Sequence, residues 1–165
     1  MKARITPVGG NGLYIELCRT IDLECNKKVH GLYYSLADVK GVLEAVVGYG
    51  SLLLIYNPLE TSFEELKALV EKTDIEVVKR EPNLFRVPVI YGGEHGPDLK
   101  LVAEKTGLSE EEVVEIHTSR VYTCYMLGFT PGFVYLGDVD DRIAVPRLPT
   151  PVSYTHLTLP TTPYV

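Results

Sequence analysis

Cysteine is scarce in this chain, with three in 165 residues: Cys18, Cys25 and Cys124. None stands in the C-x-x-C or Cys/His spacing that tetrahedral zinc requires, so no metal site is expected. An odd, small number of thiols also excludes a disulfide scaffold, and the expectation is reduced thiols in a cytoplasmic protein. Long apolar runs are lacking too. No stretch reaches the roughly 18 uncharged residues of a membrane span, and MKARITPVGGNGLYIEL has no apolar run behind its early positive charges to make an export signal. Basic residues are outnumbered, 16 Lys and Arg against 22 Asp and Glu, for a formal net charge of -6. That balance leaves no electrostatic footprint for phosphate backbones or anionic lipid, which argues against nucleic-acid or membrane-surface partners.

Catalytic signatures are equally sparse. The phosphate-cradling GxxxxGK[ST] pattern is absent, and the Gly9 to Gly12 cluster lacks the following lysine, so it reads as a turn between two strands. There is no Gly-x-Ser-x-Gly elbow, no activated-cysteine signature and no pair of carboxylates at an evident spacing. Asp138, Asp140 and Asp141 lack the glycine and terminal glutamate of a calcium loop and read as a solvated turn.

What is present is the composition of a globular protein of one or two small domains, 45% hydrophobic and 23% charged. Leu13, Ile15 and Leu17 alternate with Tyr14, Glu16 and Cys18, which predicts a half-buried strand. Asp22 is placed to cap a helix whose face carries Val29, Leu32, Tyr33 and Leu36, although Gly31 weakens it. Val42 to Val47 and Leu52 to Tyr56, separated by Gly48-Tyr49-Gly50-Ser51, predict a hairpin. Thr61-Ser62-Phe63-Glu64 reads as a capping box before the apolar stripe Phe63, Leu66, Leu69 and Val70. Residues 4 to 73 therefore predict ββαββα, a two-layer α+β sandwich with one sheet face left open or covered by a partner. Domain boundaries are expected at 1–80 and 81–151, with a charged, proline-bearing linker from Thr73 to Pro82.

The second half predicts a strand at Leu84 to Ile90, a glycine-rich loop, and a helix capped by Asp98 and stopped at Gly107. A second helix opens on the capping box Ser109 to Glu112, and Val121 to Leu127 is strand-like. Gly and Pro then crowd GFTPGFVYLGDVDDRIAVPRLPTP. Three features could carry function. Gly92, Gly93, Glu94, His95 and Asp98 combine backbone amides at a helix start with a carboxylate and an imidazole. Gly128, Phe129, Pro131, Gly132, Phe133 and Tyr135 form either a ligand or partner surface or a tight turn with core aromatics. Arg147, between Pro146 and Pro149, offers a guanidinium for a carboxylate, or else a surface ion pair. His117 is placed to stabilise the end of the second helix, where the dipole favours an imidazolium.

The segments VPVIYGGEHGPDLKLVAEKTGLSEEEVVEIHTS, YTCYMLGFTPGFVYLG and IAVPRLPTP resemble the family of 5-oxoprolinase B subunits, which also holds allophanate hydrolase subunit 1-type domains and a sporulation histidine-kinase inhibitor. GLYIEL and GVLEAVVGYGSLLLIYNPLETSFEELKALV are similar to that family's N-terminal domain. The resemblance implies a small α+β domain followed by a cyclophilin-like β-barrel of the carboxyltransferase-domain type. The barrel is expected to be incomplete, because the match ends near Pro151 and Val152 to Val165 reads as a non-native tail without Asp, Glu, Lys or Arg.

The resemblance further implies one component of a multi-protein hydrolase, a 5-oxoprolinase that opens 5-oxoproline to glutamate at the expense of ATP. Nucleotide would be bound at the level of the complex and not by this chain alone. Its companions would be the C-like carboxyltransferase-domain protein and the A-like protein of the same 5-oxoprolinase. The loop at Gly92 to Asp98, the GFTPGF turn and Arg147 would line the interface or cleft. Alternative implied roles are a histidine-kinase inhibitor, whose anchors would be Phe129, Phe133 and Tyr135, or a component of urea metabolism. Catalytic residues are not assignable from the sequence.

Overall fold

The alternation at Leu13 and Ile15 produces strand β2, Gly12–Glu16, with both leucine and isoleucine fully buried. β2 pairs antiparallel with β1, Arg4–Val8, and with β4, Ser51–Tyr56, while β3, Val42–Val47, pairs with the far side of β4. The sheet order is β1-β2-β4-β3. Cross-strand register sets Leu13 opposite Leu54 and Ile15 opposite Leu52, so four buried side chains form one apolar patch. Helices α1, Leu23–Leu36, and α2, Phe63–Lys72, cover it with Val29, Leu32, Leu36, Leu66 and Val70. The opposite face carries Leu53 and Ile55, both half-buried, and Val46, which is exposed. This computed structural model describes residues 3–75, 77, 82–128, 130–137 and 139–146. The chain groups into two compact units, Met1–Pro82 with Cys124–Leu136, and Asn83–Thr123 with Gly137–Val165.

In the first unit the caps follow local chemistry. Asp22 Oδ1 accepts from the Cys25 N–H at 2.7 Å, as its position predicts. The capping box of α2 lies one residue later than the sequence suggests, on Ser62 and Glu65 instead of Thr61 and Glu64. Ser62 has the extended backbone that an N-cap needs, and Thr61 donates its hydroxyl to the same Glu65 carboxylate at 3.3 Å. These donors, led by the Ser62 backbone N–H, hold the Glu65 pKa below its ordinary value. The cysteines also depart from expectation. Cys18 and Cys25 are disulfide-bonded, and only Cys124 is a free, exposed thiol. The exit of β2 and the first turn of α1 bring the two Cα atoms to 6.6 Å, within the range a disulfide spans.

The hairpin of β5, Cys124–Leu127, and β6, Val134–Leu136, belongs to the first unit. Tyr49, in the turn between β3 and β4, donates its hydroxyl to the Leu136 carbonyl at 3.0 Å and packs its ring against Tyr125 and Tyr135. His30 Nε2 lies 3.3 Å from the Tyr125 carbonyl.

The second unit is built on α3, Leu99–Thr106, and α4, Glu110–Thr118. Gly107 ends α3 with φ +73, the left-handed conformation that favours glycine, and Ser109 with Glu112 forms the expected capping box of α4. Asp98 stands at the N-cap of α3 but makes no side-chain cap bond, because its backbone is helical and not extended. Ala103, Val113, Ile116 and Ile143 form a small core. The strand expected at Leu84 to Ile90 is not formed. Leu84, Phe85, Val87, Val89 and Ile90 are exposed, and a strand exists only where a neighbour pairs with it. No helix among the described residues is long and apolar enough to cross a membrane.

Candidate functional site

In the second unit, the loop before α3 turns on two successive left-handed glycines, Gly92 at φ +74 and Gly93 at φ +59. The Gly96 N–H donates to the Gly92 carbonyl at 3.0 Å, and a Cβ at Gly96 would meet the Gly92 nitrogen at 2.5 Å. Glycine at 96 is thus required by close backbone approach. Glu94 and His95 form a loose pair at 3.4 Å, exposed enough to contribute little.

The loop borders a cleft of about 510 Å³. Leu99 and Val102 of α3, Val113 of α4 and Ile143 supply its apolar wall, and Tyr91, His95, Asp98 and His117 its polar groups. His117, expected only to stabilise a helix end, is hydrogen-bonded through Nδ1 to the Tyr91 hydroxyl. It also stacks at a ring distance of 5.2 Å on Tyr122, whose hydroxyl donates to the His117 carbonyl at 3.1 Å. Burial, followed by the nearby Tyr122, pushes the Tyr91 pKa up. The bond engages Nδ1, its donor being set by the imidazole tautomer, and Nε2 is the ring nitrogen that this bond leaves open. The arrangement can orient an imidazole beside an apolar cleft and present one polar nitrogen. Among the described residues no group of His, Cys, Asp and Glu could hold a metal ion.

Gly128 and Thr130 to Phe133 of the GFTPGF segment lie between β5 and β6 in the first unit. The Gly128 N–H donates to the Phe133 carbonyl at 3.2 Å, the Phe133 N–H to the Thr130 carbonyl at 3.0 Å, and Gly132 supplies the positive φ of +79. Pro131 and Gly132 are exposed at the tip. Phe133 and Tyr135 meet at a ring distance of 5.1 Å, extending the cluster with Tyr49 and Tyr125. The two candidate groups thus fall in different units, the loop in one and the turn in the other. Phe129, Arg147 and Asp138 lie outside the described residues, as does the segment from Val152 to Val165. Asp140 accepts from the Arg142 guanidinium at 2.9 and 3.0 Å and from the Arg142 backbone N–H. The Arg142 side chain foremost, then its N–H, holds the Asp140 carboxyl well below the usual carboxylate range.

Sequence reasoning missed Tyr49, Tyr91 and Tyr122. Tyr49 and Tyr91 lie far in sequence from the residues they hold, and Tyr122 reaches His117 only from beyond the end of α4, so no spacing signal marks them.

Comparison with known proteins assigns the chain. Residues 3–156 match the family described as carboxyltransferase domain, subdomain C and D, a match that passes beyond Pro151. The chain is 35% identical over 152 residues to the protein named as the 5-oxoprolinase B subunit of Escherichia coli O157:H7, covering 91% of this chain and 70% of that protein. Its counterpart of the same name in Bacillus subtilis is 36% identical over 169 residues, covering 92% and 69%. The solved structure titled TTHA0988, in space group P212121, superposes with a TM-score of 0.73 at 36% identity over 84% of this chain. This chain spans only 28% of the length of that one. Mixed helices and antiparallel strands agree with that relative, and the chain belongs to the carboxyltransferase-domain family, subdomain C and D, alongside proteins named as 5-oxoprolinase B subunits.

Proposed function

We propose that the chain serves as the B subunit of an ATP-dependent 5-oxoprolinase, acting with A-like and C-like companions to hydrolyse 5-oxo-L-proline to L-glutamate. The observation that carries this reading is its identity of 35% and 36%, over about nine-tenths of its length, to two proteins of that name. The five-membered ring amide of 5-oxoproline is unstrained and resonance-stabilised, and coupling to ATP supplies the activation its hydrolysis needs. Within this chain, the cleft beside Gly92 to Asp98 takes part in the substrate side of a shared site, with His117 presenting Nε2 under the control of Tyr91. The GFTPGF turn contributes to the surface that meets a companion protein, since its exposed tip and aromatic flank combine a rigid turn with flat apolar area.

The test is reconstitution. The full chain, the A-like and C-like companions from the same source, 5-oxo-L-proline and ATP are combined, and glutamate is measured. Release is expected only when all three proteins are present, with none from this chain alone. Undiminished release on omitting this chain would overturn the proposal, and slowing of a histidine kinase by the isolated chain would favour an inhibitor role in its place.

A further inference from the structure

Cys18 follows β2 and Cys25 lies in the first turn of α1, and their sulfurs are bonded. Both flanks of this bridge hold the turn between β3 and β4. On one side the Leu17 and Cys18 N–H groups donate to the Gly50 carbonyl at 2.8 and 3.1 Å. The fit there is close, for a Cβ on Gly50 would lie 2.4 Å from the Cys18 carbonyl oxygen and 3.1 Å from its Sγ. On the other side Asn26, beside Cys25 and only 4% exposed, donates from Nδ2 to the Gly48 and Tyr49 carbonyls at 3.2 and 2.9 Å. Tyr49 in turn grips the hairpin, by its hydroxyl on Leu136 and its ring on Tyr125 and Tyr135.

We propose that Cys18 and Cys25 form a reversible dithiol–disulfide latch that sets how firmly the 48–50 turn, and through Tyr49 the 124–136 hairpin, is held. Its bearing on assembly of the complex rests on the reading of the hairpin as partner surface. The oxidant is a small disulfide of the glutathione class. Cys18 is half-buried and Cys25 is 5% exposed, so Cys18 is the thiol that reacts first. Its thiolate attacks one sulfur of the small disulfide, forming a mixed disulfide and expelling one thiolate. The Cys25 thiolate then attacks the Cys18 sulfur and expels the second. Two protons pass from the protein thiols to the two departing thiolates, and two electrons pass to the small disulfide, which is reduced to two thiols.

The experiment uses the full chain carrying Cys124→Ser, which removes the third thiol. It is held in dithiothreitol or in glutathione disulfide and followed by thiol alkylation and amide hydrogen exchange. Two alkylated thiols are expected in reductant and none after oxidation. Amides of 48–50 and 124–136 should exchange about tenfold faster in the reduced state, with those of α2 unchanged. Adding Cys18→Ser, at the less buried position, should give the faster rate under both conditions. Two thiols still alkylated after glutathione disulfide, or equal exchange in the two states, would overturn the latch. Failure of glutamate release in the reconstituted assembly, with the exchange difference intact, would count against the enzymatic reading and leave the latch standing.

Discussion

Leu13, Ile15, Leu32, Leu52 and Leu54 of the first unit have no exposed surface, whereas the core of the second, Ala103, Val113, Ile116 and Ile143, retains between 5% and 9%. The first unit closes two layers on each other, a four-stranded sheet under two helices, and each layer supplies a continuous apolar face. Among the described residues the second offers one pair of short helices and a 3-10 turn, while five large apolar side chains between Leu84 and Ile90 are exposed. Among the described residues only the first unit has a second layer, and the area buried rather than the apolar residue types present sets what each unit gains. The contrast also bears on function. The better-packed unit positions the hairpin, and the less-packed unit keeps an open cleft with a tethered imidazole.

The comparison can be broken most strongly at the sheet. Leu54→Ala should cost about 2–5 kcal/mol in a urea titration followed by hydrogen exchange, since a fully buried leucine beneath α1 leaves a cavity. Ile116→Ala in the second unit, a truncation of the same kind, should fall at the low end of that range, about 2 kcal/mol, by the same measurement, because a looser core collapses more readily. Equal losses at the two positions would erase the distinction between the cores. Ser109→Ala removes the cap of α4 and should cost about 1 kcal/mol, with faster exchange confined to that helix. Tyr49→Phe tests the clasp on the hairpin. Loss of one hydrogen bond to Leu136 should cost about 0.5–1 kcal/mol and speed exchange in 124–136 while leaving α3 and α4 untouched.

The smallest effect is a pH dependence. The Asp140 carboxyl is held below its unfolded value by Arg142, so its contribution is complete above about pH 4 and declines as pH falls further toward the folded value. Asp140→Asn should flatten that part of the acid-stability profile slightly, because the group is solvent-exposed.

Local signals were legible where the cause is local. Asp22 and Ser109 cap helices because a short oxygen-bearing side chain reaches amides two or three residues on, and the alternation about Leu13 and Ile15 marks a strand with one buried face. The cap of α2 moved by one residue because Thr61, Ser62 and Glu65 can all share hydrogen bonds, and the backbone angle at Ser62 decides among them. Leu84 to Ile90 shows the opposite case. Its residue types favour a strand, but pairing is a property of the neighbour and not of the segment. At the candidate site, the glycines of the 92–96 loop were readable from composition, whereas the bond between Tyr91 and His117 joins residues whose proximity depends on how α4 packs.

The sequence by itself determined the α+β class, the element order of residues 4 to 72, the principal caps and the family motifs, because periodicity and capping act within a few residues. Only the tertiary structure decided that Cys18 meets Cys25, that Tyr49 holds the β5–β6 hairpin and that His117 is tethered beside a cleft. Those contacts depend on strand order and helix packing, which bring together groups that no spacing along the chain relates.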